Sequence, residues 1–80
     1  MNKAMEYNEI SRAKISKSRN IVISVCSRGG FTIAQQIEAV EDGKIVPIFL
    51  KGAFHIDDLD SLYNIRDAIN MAIKCAENDL

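Results

Sequence analysis

The side chains of this 80-residue chain that are able to do chemistry are few and scattered. His55 is the one histidine, and the sequence places no nucleophile or second acid beside it. Cys26 and Cys75 do not form a metal-ligand cluster of the usual spacing, and both thiols are expected to be reduced and inert. Acid–base, nucleophilic and zinc chemistry therefore lack the residues they need. We expect a non-catalytic protein without a cofactor or a metal.

Two short motifs are candidates for binding ions. The turn Arg28-Gly29-Gly30 exposes backbone amides that can approach a phosphate closely, but it lacks the length of a P-loop and the fingerprint of a dinucleotide site. Asp57, Asp58 and Asp60 lack the glycine and the bidentate glutamate of a calcium loop. Since these acids precede a run with helical spacing, helix capping is the better interpretation, with Asp57 as the N-cap.

The elements that must position these residues are predicted from the apolar pattern. Residues 1–18 have sparse apolar positions and predict a basic arm that is flexible or a short helix. Residues 19–80 predict one domain, with strands over 20–27, 31–40 and 45–51, a short fourth strand over 53–56, and a helix of about twenty residues from 57 onward. The predicted fold is α+β, an antiparallel three- to four-stranded β-meander packed on one long C-terminal α-helix.

The register of the meander decides which residues share a face. A two-residue Asp42-Gly43 turn pairs Val40 with Ile45 and continues that pairing along both strands. A three-residue loop at 28–30 then places the apolar residues of the first strand on the same face as those of the next two. The helix must cover this apolar face. Pro47 cannot donate to a ladder, so its strand is expected at an edge or with the amide side of Pro47 free.

The opposite face is predicted to be polar and to carry an aromatic ring, which suits single-stranded nucleic acid because bases stack on rings while cations follow the backbone. Charge supports this interpretation, since residues 1–30 carry a net +4 and residues 31–80 a net −5. Self-complementarity within the fold or a dimer is the alternative explanation of that asymmetry. The expected nucleic-acid-binding residues are Lys14, Lys17, Arg19, Ser27, Arg28, Phe31, Thr32, Gln36, Phe49 and Lys51.

The order of elements over residues 20–76 resembles the positive cofactor 4 family and its YdbC-like bacterial relatives. The resemblance rests on the strand ending Ser24 to Gly29 followed by Phe31-Thr32, the hairpin Gly43 to Pro47, and Lys51-Gly52 running into the helix. It implies a ββββ-α homodimer that binds single-stranded DNA on a curved sheet.

The segment from Asp42 to the end, with Asp42-Gly43-Lys44, Lys51-Gly52, Asp58, Leu62-Tyr63 and the closing helix, is similar to small phage inhibitors of uracil-DNA glycosylase. Small anti-CRISPR proteins with the cofactor-like fold are a third possibility. These imply a DNA mimic or inhibitor that blocks a host DNA-processing enzyme. The residues expected to bind such a partner are Asp57, Asp58, Asp60 and Asp67.

Size and composition limit the remaining classes. A domain of this length buries roughly 60% of the surface of its unfolded chain, so a homo-oligomer is expected. No apolar run approaches the ~20 residues of a membrane span, and the first thirty residues lack the apolar core of a signal peptide. The predicted location is cytoplasmic.

Overall fold

The computed structural model describes residues 5–79 and contains one antiparallel sheet and one helix. The strands are β1 (Tyr7–Lys14), β2 (Arg19–Cys26), β3 (Phe31–Glu41), β4 (Lys44–Phe49) and β5 (Phe54–Ile56), and the helix α1 spans Leu59–Asn78. The sheet order is β1-β2-β3-β4, and β5 pairs with the first half of β3 beside β4. The predicted α+β fold with a long C-terminal helix is confirmed.

The predicted register between β3 and β4 is also confirmed. Val40 pairs with Ile45 and Ala39 with Val46, around an Asp42-Gly43 turn in which both residues have positive φ. This is the backbone twist that a two-residue hairpin favours. The loop between β2 and β3 has three residues but begins one residue earlier than predicted, because Cys26 pairs with Gly30 through a 3.1 Å hydrogen bond.

Two faces follow from this register. Face A is the apolar side of the sheet, over which α1 lies; it holds Ile21, Ile23, Val25, Phe31, Ile33, Ile37, Ala39, Val46, Ile48, Phe54 and Ile56. Face B is the opposite side; it holds Tyr7, Glu9, Arg12, Lys14, Asn20, Val22, Ser24, Cys26, Thr32, Ala34, Gln36, Glu38, Val40, Ile45, Pro47, Phe49 and His55. Pro47 lies on β4 at the edge of the sheet, as predicted.

The prediction of a flexible or short-helical arm was wrong for residues 7–14, which form the edge strand β1. The register shifts between Glu9 and Ser11, so Ile10 is an extra residue that breaks the two-residue alternation of an ordinary strand. Every side chain of β1 is exposed, so burial imposes no pattern on its sequence. Pairing with β2, rather than local propensity, makes this segment a strand.

Helix α1 is capped by Asp58 and not by the predicted Asp57. Asp58 has an extended backbone, and its Oδ1 accepts hydrogen bonds from the backbone N–H of Ser61 at 2.9 Å and from its hydroxyl at 2.8 Å. Buried Ile56 still pairs with Phe31 in the sheet, so the chain needs one more extended residue before the helix begins. These bonds, the one from the Ser61 hydroxyl being the stronger cause, hold the pKa of Asp58 below its ordinary value.

Replacing this cap is expected to destabilise the helix in a pH-dependent way. The pKa of Asp58 is depressed in the folded state, so its contribution is present above its ordinary pKa of 3.8 and is lost as the pH falls through the folded value. Asp58→Ala should lower the melting temperature at neutral pH by a few degrees, and the difference from wild type should shrink below pH 3.8. Asp57→Ala is the control, and an equal loss in both variants would contradict the assignment.

The single chain encloses very little core. Among the described residues the buried apolar side chains are Val22, Cys26 and Ile56, and no residue of α1 is buried. Two of these three lie on face B, which no helix covers. Their burial is therefore provided by the sheet itself and not by the helix. No described helix is long and apolar enough to cross a membrane.

Candidate nucleic-acid interface

Face B forms a groove in the curved sheet. A cavity of about 250 Å³ is lined by Tyr7 from β1 at one edge and by Phe49, Leu50 and Ala53 at the other edge, with Ser24, Thr32 and Ala34 in its floor. Side chains from both edges line one cavity because the sheet curls around it. The volume is below the roughly 300–1,000 Å³ typical of small-molecule sites. Its lining is mostly apolar, so face B is less polar than the sequence indicated.

Two aromatic side chains border this groove and are open to solvent. Tyr7 is 56% exposed and Phe49 is 58% exposed, and they come from opposite sides of the same cavity. Such an arrangement offers two ring faces to a planar ligand. Tyr7 is not among the predicted binding residues, because residues 1–18 were not predicted to contain a strand. A signal was present: Tyr7 is the one aromatic residue that precedes β2.

Three of the predicted binding residues lie in one cross-strand row on face B. Lys14 pairs with Asn20, Asn20 with Gln36, and Gln36 with Phe49. At about 4.8 Å between strands the row is about 14 Å long. Asn20 and Gln36 are buried, so their amides shape the floor of the row and present little surface to a ligand. The ammonium group and the aromatic ring at its two ends are the exposed groups.

The predicted cations lie at both ends of the groove. Lys14, Lys17 and Arg19 cluster at the β1–β2 turn, where the backbone N–H of Glu38 bonds to Ser18. Lys51 lies in the bend after β4, next to the residues that line the cavity. Arg28 lies in the β2–β3 turn. Gly30, where that turn ends, is six residues from Gln36 along β3, a span of about 20 Å. Gln36 pairs with Phe49, so Arg28 lies toward the opposite end of the groove from that ring.

Ion pairing leaves part of this charge available to a ligand. Arg12 on face B is held by Glu9 through contacts of 2.6 and 2.7 Å, and the hydrogen bond from Arg12 is the main cause that lowers the pKa of Glu9. Within residues 5–79, Lys14, Lys17 and Lys51 form no ion pair. The lysines, rather than Arg12, are therefore the side chains of this region that are able to neutralise a phosphate.

Two predicted residues have other positions. Phe31 pairs with Val25 and Ile56 on face A, so it does not share a face with Phe49. Ser27 lies in the β2–β3 turn, where its Oγ accepts a 3.0 Å hydrogen bond from the backbone N–H of Glu6. Thr32 lies in the floor of the groove as predicted, with its Oγ1 2.9 Å from the Sγ of Cys26.

A sulfur, an imidazole and a carboxylate lie in sequence at the end of the groove. The Nδ1 of His55 is 3.9 Å from the Sγ of Cys26, and its Nε2 is 3.4 Å from Oδ1 of Asp57. The order matches a nucleophile, a base and an orienting acid. Cys26 is only 2% exposed, however, so a substrate has no path to its sulfur in this conformation. The contact between His55 and Cys26 ties β5 to β2.

The acids expected to bind a partner enzyme are largely engaged within the chain. Asp58 caps α1, Asp57 contacts His55, and Asp67 lies 3.0 Å from Nη2 of Arg66. Arg66 also lies over the ring of Tyr63, at 5.0 Å from its centroid. Asp60 lies in the first turn of the helix, where the helix dipole favours a negative charge. Capping and local pairing thus account for these residues.

No protein-family model, curated protein or solved structure significantly matches this chain.

Proposed function

We propose that this protein is a non-catalytic single-stranded nucleic-acid-binding module that acts as a homodimer and holds the strand in the groove of face B. The observation that carries the proposal is the apolar cavity between the exposed rings of Tyr7 and Phe49. Base–aromatic stacking needs accessible ring faces and tolerates any base, so the ligand class is a single strand without strict sequence preference.

The positions of the cations support the same ligand. Lys51 follows Leu50, which lines the cavity, and the Lys14–Arg19 turn lies at one end of the groove and Arg28 at the other. A backbone that follows the groove would therefore pass cations over about 20 Å while its bases face the apolar floor. A planar apolar molecule without phosphates would bind in the cavity without contacting the cations. Its binding would therefore not depend on salt, whereas that of a nucleic acid would.

The test is a titration of a fluorescent oligothymidylate, followed by anisotropy, at several salt concentrations. Each phosphate that a protein cation neutralises contributes about 0.7 to the slope of log K against log salt for a single strand. The double variant Arg28→Ala/Lys51→Ala should bind more weakly and lower the slope by about 1.4. Lys44→Ala/Lys74→Ala removes the same charge outside the groove and should leave the slope unchanged.

The proposal would be withdrawn if the wild-type protein did not bind the oligonucleotide at low salt. It would also be withdrawn if the two double variants were indistinguishable. Retention of a DNA-processing enzyme from a lysate, lost on charge reversal of Asp60 and Asp67, together with no oligonucleotide binding, would favour the inhibitor hypothesis instead.

A further inference from the structure

The apolar stripe of α1 continues beyond the sheet that it covers. Leu62 and Ile65 are half-buried and face Ile23 and Ile33 across a cleft of about 230 Å³. Ile69, one turn later, lines the same cleft but is 54% exposed, and Ile73, a further turn along, is 51% exposed on the same side of the helix. Protein interiors rarely leave an apolar gap of this size unfilled.

Face A is also incompletely covered. Ile48 on β4 is 37% exposed and Phe54 on β5 is 54% exposed, although the register places both on the side of the sheet that carries the helix. The helix therefore protects part of face A and leaves its β4–β5 border open. The exposed apolar side chains of the helix and of this side of the sheet, which we together call the open apolar surface, are Ile69, Ile73, Ile48 and Phe54.

The dimensions of the chain agree with a missing partner. A folded chain of 8.9 kDa has an accessible surface of about 4,800 Å². This chain exposes 6568 Å², about 1,750 Å² more. Its radius of gyration is 15.5 Å, where a compact chain of this length has about 12 Å. Covering that excess on two copies would bury about 3,500 Å², within the roughly 2,000–5,000 Å² of obligate homodimers.

We infer that a second copy of this chain covers the open apolar surface, with the C-terminal halves of the two α1 helices at the centre of a two-fold interface. The stripe includes the small residues Ala72 and Ala76, which allow close approach of a neighbouring helix. A two-fold axis brings the same patch of each copy together, so one self-complementary apolar patch is sufficient. This inference specifies the surface of the proposed homodimer. It does not depend on the ligand, because the groove lies on the other face.

The inference is tested by light scattering during size-exclusion chromatography of the 80-residue chain. Wild type should elute with twice the 8.9 kDa mass of one chain. Ile69→Glu/Ile73→Glu places two charges in the apolar contact and should give the monomer mass. Ile45→Glu is the matched control, since Ile45 is 69% exposed at the hairpin tip, away from the open apolar surface. It should remain a dimer.

A monomeric wild type, or a folded dimer of Ile69→Glu/Ile73→Glu, would overturn the inference, as would dissociation caused by Ile45→Glu alone. If the double glutamate variant does not fold, Ile69→Ala/Ile73→Ala replaces it. The expected result is then at least a tenfold weaker dimer, and an unchanged dissociation constant overturns the inference. Oligonucleotide binding is measured separately. A dimer that binds no nucleic acid would contradict the proposed function without contradicting this interface.

Discussion

Phe49→Ala is expected to weaken oligonucleotide binding by about 5- to 150-fold, because stacking of one base on an aromatic ring contributes about 1–3 kcal/mol. Phe49 is exposed and contributes little to the fold, so the effect should appear in binding rather than in stability. Removing both rings in Tyr7→Ala/Phe49→Ala should abolish binding that is measurable at micromolar concentration. The measurement is an anisotropy titration at low salt, where the phosphate contacts remain strong.

Phe54→Ala provides the matched control for this substitution. Phe54 is 54% exposed and Phe49 is 58% exposed, but Phe54 lies on face A. The two variants lose the same aromatic surface on opposite sides of one sheet, and because Phe54 belongs to the open apolar surface, both are compared at a protein concentration at which light scattering shows a dimer. Equal losses of affinity in both would mean that ring removal acts through the fold or the dimer, and the stacking role of Phe49 would be rejected.

Gly30→Ala is expected to cost about 2–5 kcal/mol of folding free energy, enough to unfold much of a small domain. Gly30 has φ of 78°, a left-handed conformation that costs an L-residue about 1–2 kcal/mol. An added Cβ would also lie 2.5 Å from the carbonyl oxygen of Ile56 and 2.6 Å from Nε2 of His55. Relieving that overlap requires β5 to move, which adds about 1–3 kcal/mol.

Gly43→Ala separates these two causes. Gly43 has φ of 77°, the same conformation, but an added Cβ there meets nothing within 4 Å. It should therefore cost only the conformational part, about 1–2 kcal/mol. Urea unfolding of both variants at one protein concentration gives the comparison, since dimer stability depends on concentration. If the two variants lost equal stability, the close approach of Gly30 to β5 would make no contribution to the free energy of unfolding.

The central part of the sheet was predictable because the turn sequence, the alternation of apolar residues and the position of the proline all indicated the same arrangement of strands. The Asp42-Gly43 turn fixed the pairing of β3 with β4, and alternation then fixed the faces. Pro47 placed β4 at the edge. Only the pairing of β2 with β3 differs from the prediction: Phe31 pairs with Val25 and not with Ser27. This shift of two residues leaves every side chain on its predicted face. Such a shift preserves the face because the period of a strand is two.

The groove could not be predicted, because it depends on long-range pairing and curvature. β1 has a bulge and no buried side chain, so nothing in its own sequence indicates a strand. Without β1, Tyr7 had no position on face B and the second ring was missed. Face B appeared flat and solvated from alternation alone, whereas the sheet itself buries Val22 and Cys26 there. The choice of Asp58 over Asp57 as N-cap likewise depended on Ile56 pairing with Phe31.

The most direct test of the account is a map of backbone amide signals by nuclear magnetic resonance during titration with a short oligothymidylate. Binding in the groove should shift the amides around Tyr7, Thr32, Phe49 and Lys51 and leave those of Ile69 and Ile73 unchanged. No shift at low salt, or shifts confined to the helix and face A, would contradict the claim that face B holds a single strand.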